Sequence, residues 1–208
     1  MHQKINLRRK SMNKPNNNAS VFIQDVNGNM WRPNEWEKDC QANAIAVITP
    51  SHSFMVALHD CEGEFAMTEY DGGDELSETM RTVIARTEAE QDYDGVGNSM
   101  LIDEAQDNSR YAAAACLGFE FPVHETRGYL PSLGELSIMH CNLAAINKAL
   151  TVCGGDRILP LYYWSSTFGS KVGSHGCCFW RMGFQDGYVY KSDAICLGQV
   201  RPFAPLIF

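Results

Sequence analysis

The chain lacks the features of several large protein classes. Its 208 residues contain no run of about 18 apolar residues, so we predict no insertion into a membrane. Basic residues are scarce: 17 Lys and Arg stand against 25 Asp and Glu, which gives a net charge of -8. Phosphate binding needs clustered cations, so nucleic acid is not an expected partner. No apolar stretch follows Met1, and no ordinary secretory signal peptide is therefore predicted.

Common catalytic and metal-binding motifs are also absent from the sequence. It contains no G-x-S-x-G, no P-loop, no dinucleotide-binding glycine pattern and no H-E-x-x-H helix. The segment from Asp92 to Asn98 resembles a calcium loop, but Val96 and Asp103 stand where an EF-hand needs an oxygen side chain and a Glu. We favour an Asx-rich turn there, with calcium near Asp92 and Asp94 as the alternative. No cofactor, no metal and no enzymatic activity are predicted.

The eight cysteines do not have the spacing of a structural zinc site, because none of them forms a C-x-x-C pair. Reduced thiols are expected, since no signal peptide directs the chain to an oxidising compartment. Cys40 and Cys61 flank a predicted hairpin, and a bridge between them is the alternative.

Hydrophobic patterning divides the chain into a tail and one domain. Residues 1–19 are expected to form a disordered basic tail, and residues 20–208 a single domain. The basic residues of the tail are Lys4, Arg8, Arg9, Lys10 and Lys14. The order of strands, then helices, then strands predicts an α+β fold.

Local signals place the elements of this domain. Two β-hairpins are predicted, one around Asn27-Gly28 and one joining the apolar runs Ala42–Thr49 and Ser53–Leu58. Helices are predicted over Glu75–Ala89, from Ser109 to Cys116, and after Pro131. Ser132 and Glu135 have the spacing of a capping box for the last helix, which Gly154-Gly155 ends. From Leu161 onward the chain is predicted to form strands and turns.

Four motifs in a fixed order point to a family. They are Gly128–Leu136 (GYLPSLGEL), Ala144–Leu150 (AAINKAL), Tyr163–Thr167 (YWSST) and Val200–Phe203 (VRPF). Together they resemble a bacterial and phage group of C-type-lectin-like domains, over roughly residues 20–208. One branch of that group contains the variable proteins of diversity-generating retroelements.

The resemblance implies a ligand-binding protein rather than an enzyme. In that branch a reverse transcriptase copies a template repeat, and adenines of the template become any base, so asparagine codons in the C-terminal coding segment are scrambled. The implied role is an adhesin or receptor-binding protein for a protein or glycan on another cell. Exposure outside the host cell would use a route other than a signal peptide, such as assembly into a phage particle. The variable segment is expected at about Tyr163 to Phe203.

Codon chemistry and strand geometry predict which residues of this segment vary and which stay fixed. A scrambled AAC codon never gives Lys, Glu, Gln, Met or Trp, and in a strand the varied residues should alternate with fixed ones. Within the strand Cys178–Phe184, Trp180, Met182 and Phe184 are expected to face inward. Arg181, Gly183, Tyr188 and Tyr190 are expected to be solvent-exposed on one face, and their burial would contradict a variable surface. Asp186-Gly187 is predicted to be a type I′ hairpin turn.

The full set of expected ligand-binding residues consists of positions whose residue type a scrambled codon can produce. These are Phe168, Ser170, Val172, Ser174, His175, Cys177, Cys178, Arg181, Gly183, Tyr188, Tyr190, Ser192, Asp193, Ile195 and Cys196. Arg201 is expected instead to be a buried, paired structural residue.

Alternative functions concern the cysteines and the fold. Cys177 and Cys178 with His175 could bind a metal ion, but adjacent strand residues point to opposite faces, which disfavours a shared ion. An enzyme related to the sulfatase-activating oxidases, which share this fold, would need a reactive cysteine pair, for which Cys177 and Cys196 are the candidates. A carbohydrate-binding or structural tip protein of fixed specificity is the third alternative.

Overall fold

The structure is a computed structural model that describes residues 19–69, 73–106, 110–174 and 176–206. The strands are β1 (Ser20–Asp25), β2 (Met30–Trp31), β3 (Ala42–Ile48), β4 (Ser53–Val56), β5 (Glu120–Phe121), β6 (Thr126–Arg127), β7 (Tyr162–Val172), β8 (Gly176–Gly183), β9 (Val189–Asp193) and β10 (Phe203–Pro205). The helices are α1 (Gly73–Thr79), α2 (Arg86–Ala89), α3 (Gly95–Glu104), α4 (Ala112–Leu117), α5 (Leu133–Cys141) and α6 (Leu143–Cys153), with a 3-10 turn at Val123–Glu125. Helices combined with small antiparallel sheets confirm the predicted α+β class.

A five-stranded antiparallel sheet joins the two ends of the described chain, in the order β10-β4-β3-β1-β2. Both predicted hairpins are present in it, and Gly28 takes the positive φ of 85° that its turn requires. Ala19, the last residue of the predicted tail, donates its backbone N–H to Asn142 Oδ1 at 3.0 Å. Residues 1–18 of the predicted tail lie outside the described residues.

The three-stranded antiparallel sheet β7-β8-β9 is built by the predicted variable segment. Successive residues of β8 enter two different apolar clusters, as strand alternation requires. Trp180 and Met182 pack in the cluster that contains α5 and α6 residues, whereas Cys177 and Phe179 pack in a second cluster with Trp164. Most of this sheet is consequently covered on both faces.

The α5 helix begins as predicted. A capping box is present, in which Glu135 Oε2 accepts the backbone N–H of Ser132 at 2.8 Å. Gly154 ends α6 in the left-handed conformation, at a φ of 84°.

Three local predictions need correction. The single helix expected over Glu75–Ala89 is two short helices separated by residues 80–85, because Val83 leaves the helix to bond elsewhere: its N–H donates to Phe168 O at 3.0 Å and its carbonyl accepts from Trp180 Nε1 at 2.8 Å. A helix not predicted, α3, occupies Gly95–Glu104. The helix expected from Ser109 begins at Ala112, and Ser109 lies outside the described residues.

The predicted type I′ turn at Asp186-Gly187 is also wrong. Gly187 has a φ of 70°, but Asp186 does not have the positive φ that a type I′ turn needs at both central positions. Instead the Gly187 N–H donates to Gly183 O at 2.8 Å, and Asp186 Oδ1 accepts the N–H of Tyr188 at 2.9 Å. The connection between β8 and β9 is therefore a longer loop, fixed by an Asx-type contact.

Candidate functional site

The pairing register of β7, β8 and β9 assembles a continuous row of side chains. Trp164 lies opposite Arg181, and Arg181 lies opposite Tyr190. Tyr162 pairs with Gly183, whose N–H donates to the carbonyl of Tyr188 at 2.9 Å. Arg181, Gly183, Tyr188 and Tyr190 therefore share one face of the sheet, as predicted.

Exposure on this face differs from the prediction. Tyr188 is 58 % exposed and Tyr190 is half-buried, but Arg181 is only 7 % exposed and Gly183 is buried. The expectation that all four are solvent-exposed is wrong for Arg181 and Gly183. The cause is the neighbouring Tyr162, whose ring covers the position where a side chain at Gly183 would stand and also stacks on Arg181.

The Arg181 guanidinium is enclosed by three aromatic rings. Its central carbon lies 4.7 Å from the ring centroid of Trp164, 4.9 Å from that of Tyr162 and 5.6 Å from that of Tyr190. Such cation–π contacts stabilise the charge. Nη1 donates to Leu197 O at 3.5 Å, at the limit for a hydrogen bond, and the buried Nε has no hydrogen-bond partner in the part of the chain that the structure describes. Among the described residues no carboxylate lies within ion-pair distance of Arg181.

Tyrosine rings form the outer layer of this cluster. Tyr188 stacks on Tyr190 at a centroid distance of 5.7 Å, and Tyr162 meets Tyr190 edge to face at 5.4 Å. Burial raises the pKa of Tyr190, although the positive charge of Arg181 acts in the opposite direction. The phenol is therefore neutral at physiological pH and presents a hydroxyl that can donate or accept.

The loop after β9 continues the exposed surface. Ile195 is 50 % exposed, Leu197 is 58 % exposed, and Cys196 between them is exposed. The loop is anchored at Ala194, whose N–H donates to Cys177 O and whose carbonyl accepts from Met67 N at 2.7 Å. A cavity of about 330 Å³ opens beside this anchor. Its lining residues are Glu69, Val172, Gly173, Ser174, Gly176, Cys177, Asp193, Ala194 and Ile195.

The remaining predicted binding residues differ in solvent exposure. Val172, Ser174 and Asp193 are exposed, and Ser170 and Ser192 are half-buried. His175 lies outside the described residues.

Phe168, Cys177 and Cys178 are buried, so their predicted display on the surface is wrong. Phe168 packs edge to face on Phe179 at 5.3 Å in the second apolar cluster, which also contains Cys177. Cys178 lies on the central strand β8, and its Sγ is 3.3 Å from Oγ of Ser170 on the neighbouring strand β7. Sequence alternation could not reveal that both faces of this strand end are covered.

Trp180, Met182 and Phe184, which were expected to face inward, are buried, and Arg201 is buried and paired as expected. Its guanidinium bonds the Asp60 carboxylate and donates from Nη1 to Asp156 O at 2.9 Å. Tyr163 also donates its hydroxyl to Asp60 Oδ2 at 2.8 Å. Arg201 and Asp60 thus connect the C-terminal strand region to the loop after β4.

Sequence reasoning missed a pair of thiols. Cys116 is fully buried and Cys61 is half-buried beside it. A hydrogen bond from Cys116 lowers the pKa of Cys61, whereas burial raises the pKa of Cys116. Cys40 and Cys61, for which a bridge was the alternative, are both free thiols in the structure.

The predicted Asx-rich turn before α3 is built from Asp92 and Asp94. Asp94 caps α3 by accepting the N–H of Gly97 at 3.0 Å, and Asp92 accepts from Asn98 Nδ2 at 2.9 Å and from Thr167 Oγ1 at 2.6 Å. Across the part of the chain that the structure describes, no three His, Cys, Asp or Glu side chains come together as metal ligands would. In the same residues, every helix is too short or too polar to cross a membrane.

Comparison of the chain with protein-family models, with curated proteins and with solved structures found no match.

Proposed function

We propose that this chain is a non-enzymatic ligand-binding protein with a C-type-lectin-like fold, and that it presents a surface diversified by a retroelement. The proposed surface is the aromatic face of β7-β8-β9 together with the loop that follows β9. Its ligand would be a molecule on the surface of another cell, as expected for an adhesin or a receptor-binding protein.

The single observation that carries this proposal is the division of β9 into two faces. Lys191, a residue that a scrambled AAC codon cannot produce, lies on the inner face with its Nζ 5.4 Å from the Trp180 ring centroid. Tyr188, Tyr190 and Ser192, which such a codon can produce, alternate with it on the other face. The residue type that the mechanism forbids thus lies on the face opposite to Tyr190 and Ser192, while Val189 and Asp193, which the mechanism permits, lie on the same face as Lys191.

Side-chain chemistry also supports a binding surface. Tyrosines provide a large contact area at low entropic cost, and exposed aromatic and aliphatic groups clustered together are typical of protein interaction sites. Tyr188, Ile195 and Leu197 are each at least half exposed; Tyr188 stacks on Tyr190, and the carbonyl of Leu197 accepts from Arg181. Burial of Arg181 and Gly183 counts against a variable surface at these two positions, so the residues proposed to vary are the exposed ones of the same face and loop.

The oxidase alternative has weaker support. A nucleophilic cysteine must be a thiolate near neutral pH. Burial, together with Cys178 and Asp193, raises the pKa of Cys177 to about 12. Such a thiol stays protonated and inert under physiological conditions.

Sequencing sister copies of the gene tests the proposed function. We expect differences between copies to concentrate at the codons for the exposed positions of the sheet and loop, with Trp180, Met182 and Lys191 unchanged. A near-identical repeat rich in asparagine codons and a reverse transcriptase gene should lie close by. Differences spread evenly along the chain, as in a protein of fixed specificity, would overturn the proposal.

A further inference from the structure

The chain contains two buried arginines with different surroundings. Arg201 is 1 % exposed and its charge is balanced by the Asp60 carboxylate. Arg181 is 7 % exposed, and no carboxylate among the described residues balances it. A buried cation without a partner is unfavourable, and proteins normally pair such a group.

The Arg181 guanidinium has N–H groups without good acceptors. Among the described residues the buried Nε has no hydrogen-bond partner, and Nη1 makes one long bond of 3.5 Å to Leu197 O. Arginine has five N–H donors in a planar fork, which fits a carboxylate through two parallel bonds. The three aromatic rings, whose centroids lie 4.7–5.6 Å from the guanidinium carbon, contact the cation but carry no negative charge that would balance it.

The cover over Arg181 is a set of side chains that can move. Tyr162 is 38 % exposed and Tyr190 is half-buried, and rings at a surface change rotamer quickly. Leu197, whose carbonyl meets Nη1, lies in an exposed loop. A rotamer change of Tyr162 or Tyr190 would uncover one side of the guanidinium and requires no change in the backbone of the sheet.

We propose that Arg181 is the central anchor of the binding surface and that it receives an aspartate or glutamate side chain of a partner protein. The inference rests on the proposed function, because it assigns the chemistry of the ligand at that same surface. The buried charge is complementary to a carboxylate. The exposed apolar side chains of the loop after β9, Ile195 and Leu197, favour a protein over a glycan, because aliphatic side chains offer no hydrogen bonds to sugar hydroxyls. An arginine surrounded by tyrosines and apolar residues is also typical of interface hot spots.

The test selects binders from a displayed library of random linear peptides on the full-length protein. We expect the enriched peptides to contain Asp or Glu next to apolar residues. Their binding to Arg181→Met, which keeps the stacked volume and removes the charge, should be weaker by about thirtyfold or more, since loss of one partner of a buried charge pair has effects of this size. Arg157→Met, at an exposed arginine after α6, is the matched control and should bind like the wild type.

Other outcomes separate failure of the inference from failure of the proposed function. Peptides that require Tyr188 (tested with Tyr188→Ala) but show no acidic preference, or that bind Arg181→Met equally well, overturn the role of Arg181 and leave the surface intact. Peptides unaffected by both Tyr188→Ala and Arg181→Met overturn the proposed surface as well. If no acidic peptide is enriched while carboxylate-bearing glycans on an array bind through Arg181, the assignment of a protein partner is wrong.

Discussion

At the scale of single residues, buried charges are the positions where a substitution should lower the stability of the fold most. Arg201 and Asp60 form an ion pair in which the arginine side chain is fully buried and the aspartate side chain is 15 % exposed. Tyr163 and the Asp156 carbonyl add further bonds to the pair, and among the described residues only Nη2 of Arg201 is left without a partner there. Removal of one partner would leave the other charge buried without compensation.

We therefore expect Asp60→Asn to lower the free energy of unfolding by about 3–5 kcal/mol, as the loss of one member of a buried pair does. Urea denaturation followed by circular dichroism measures this change. Asp103→Asn, at an exposed position of α3, is the control and should stay within about 0.5 kcal/mol of the wild type. Equal stability of the two variants would show that the Arg201 pair does not stabilise the fold.

Cysteine reactivity gives a second test at this scale. Cys196 is exposed, whereas Cys177 is buried and its pKa is raised to about 12. The thiolate is the reactive form, so at pH 8 Cys177 remains protonated and should resist iodoacetamide while Cys196 is alkylated. Peptide mapping by mass spectrometry measures both sites, and denaturation in urea should make them react alike. Rapid alkylation of Cys177 in the native protein would contradict its buried environment.

At the scale of elements, turns and long-range bonds set the boundaries that local patterns do not. The segment 80–85 has the apolar spacing of a helix, but Val83 is more strongly fixed by Phe168 and by Trp180 Nε1, which come from distant strands. Conversely, α3 contains Gly95 and Gly97 and carries no clear apolar stripe, so periodicity did not reveal it. The capping box of α5 was predictable because both of its partners, Ser132 and Glu135, are three residues apart.

The two connections that flank β8 offer a matched pair of glycine substitutions, Gly173 before the strand and Gly187 after it. Gly187 and Gly173 both have positive φ, but a Cβ at Gly187 would lie 2.7 Å from the His140 ring, and a Cβ at Gly173 would meet nothing within 4 Å. Gly173→Ala should cost only the backbone strain of about 1 kcal/mol. Gly187→Ala should cost about 1–3 kcal/mol more, because the ring must move in a packed site. Thermal unfolding of the two variants measures the difference, and equal losses would show that His140 does not restrain the loop.

At the scale of the whole molecule, packed apolar clusters and a buried ion pair form the interior, and tyrosine rings form one face of the sheet β7-β8-β9. The α+β class, both hairpins and the side of the strand on which Arg181 and Tyr190 lie were predictable, because alternation and turn chemistry are local properties. The burial of Arg181 and Phe168 was not predictable, because it depends on contacts that only the folded chain creates. Tyr162 and Leu197 contact Arg181, and Phe179 packs on Phe168 in the second apolar cluster. Codon arithmetic identifies which residues can vary, but it carries no information about what packs over them.

The central claim is that the exposed positions of this face can be exchanged while the interior holds the fold. Its most direct measurement compares two displayed libraries by the fraction of members that resist protease. In the first, the codons of Tyr188, Tyr190, Ser192, Asp193 and Ile195 are replaced by the set that scrambled AAC codons produce. In the second, the same codon set replaces Trp164, Trp180, Met182, Phe184 and Val189, which are all buried.

We predict that most members of the first library remain folded, since surface substitutions usually change stability by no more than about 0.5 kcal/mol. Most members of the second library should be lost, because truncation of buried aromatic side chains costs about 3–5 kcal/mol each. Equal survival of the two libraries, or greater loss from the first, would contradict a variable surface on a fixed scaffold.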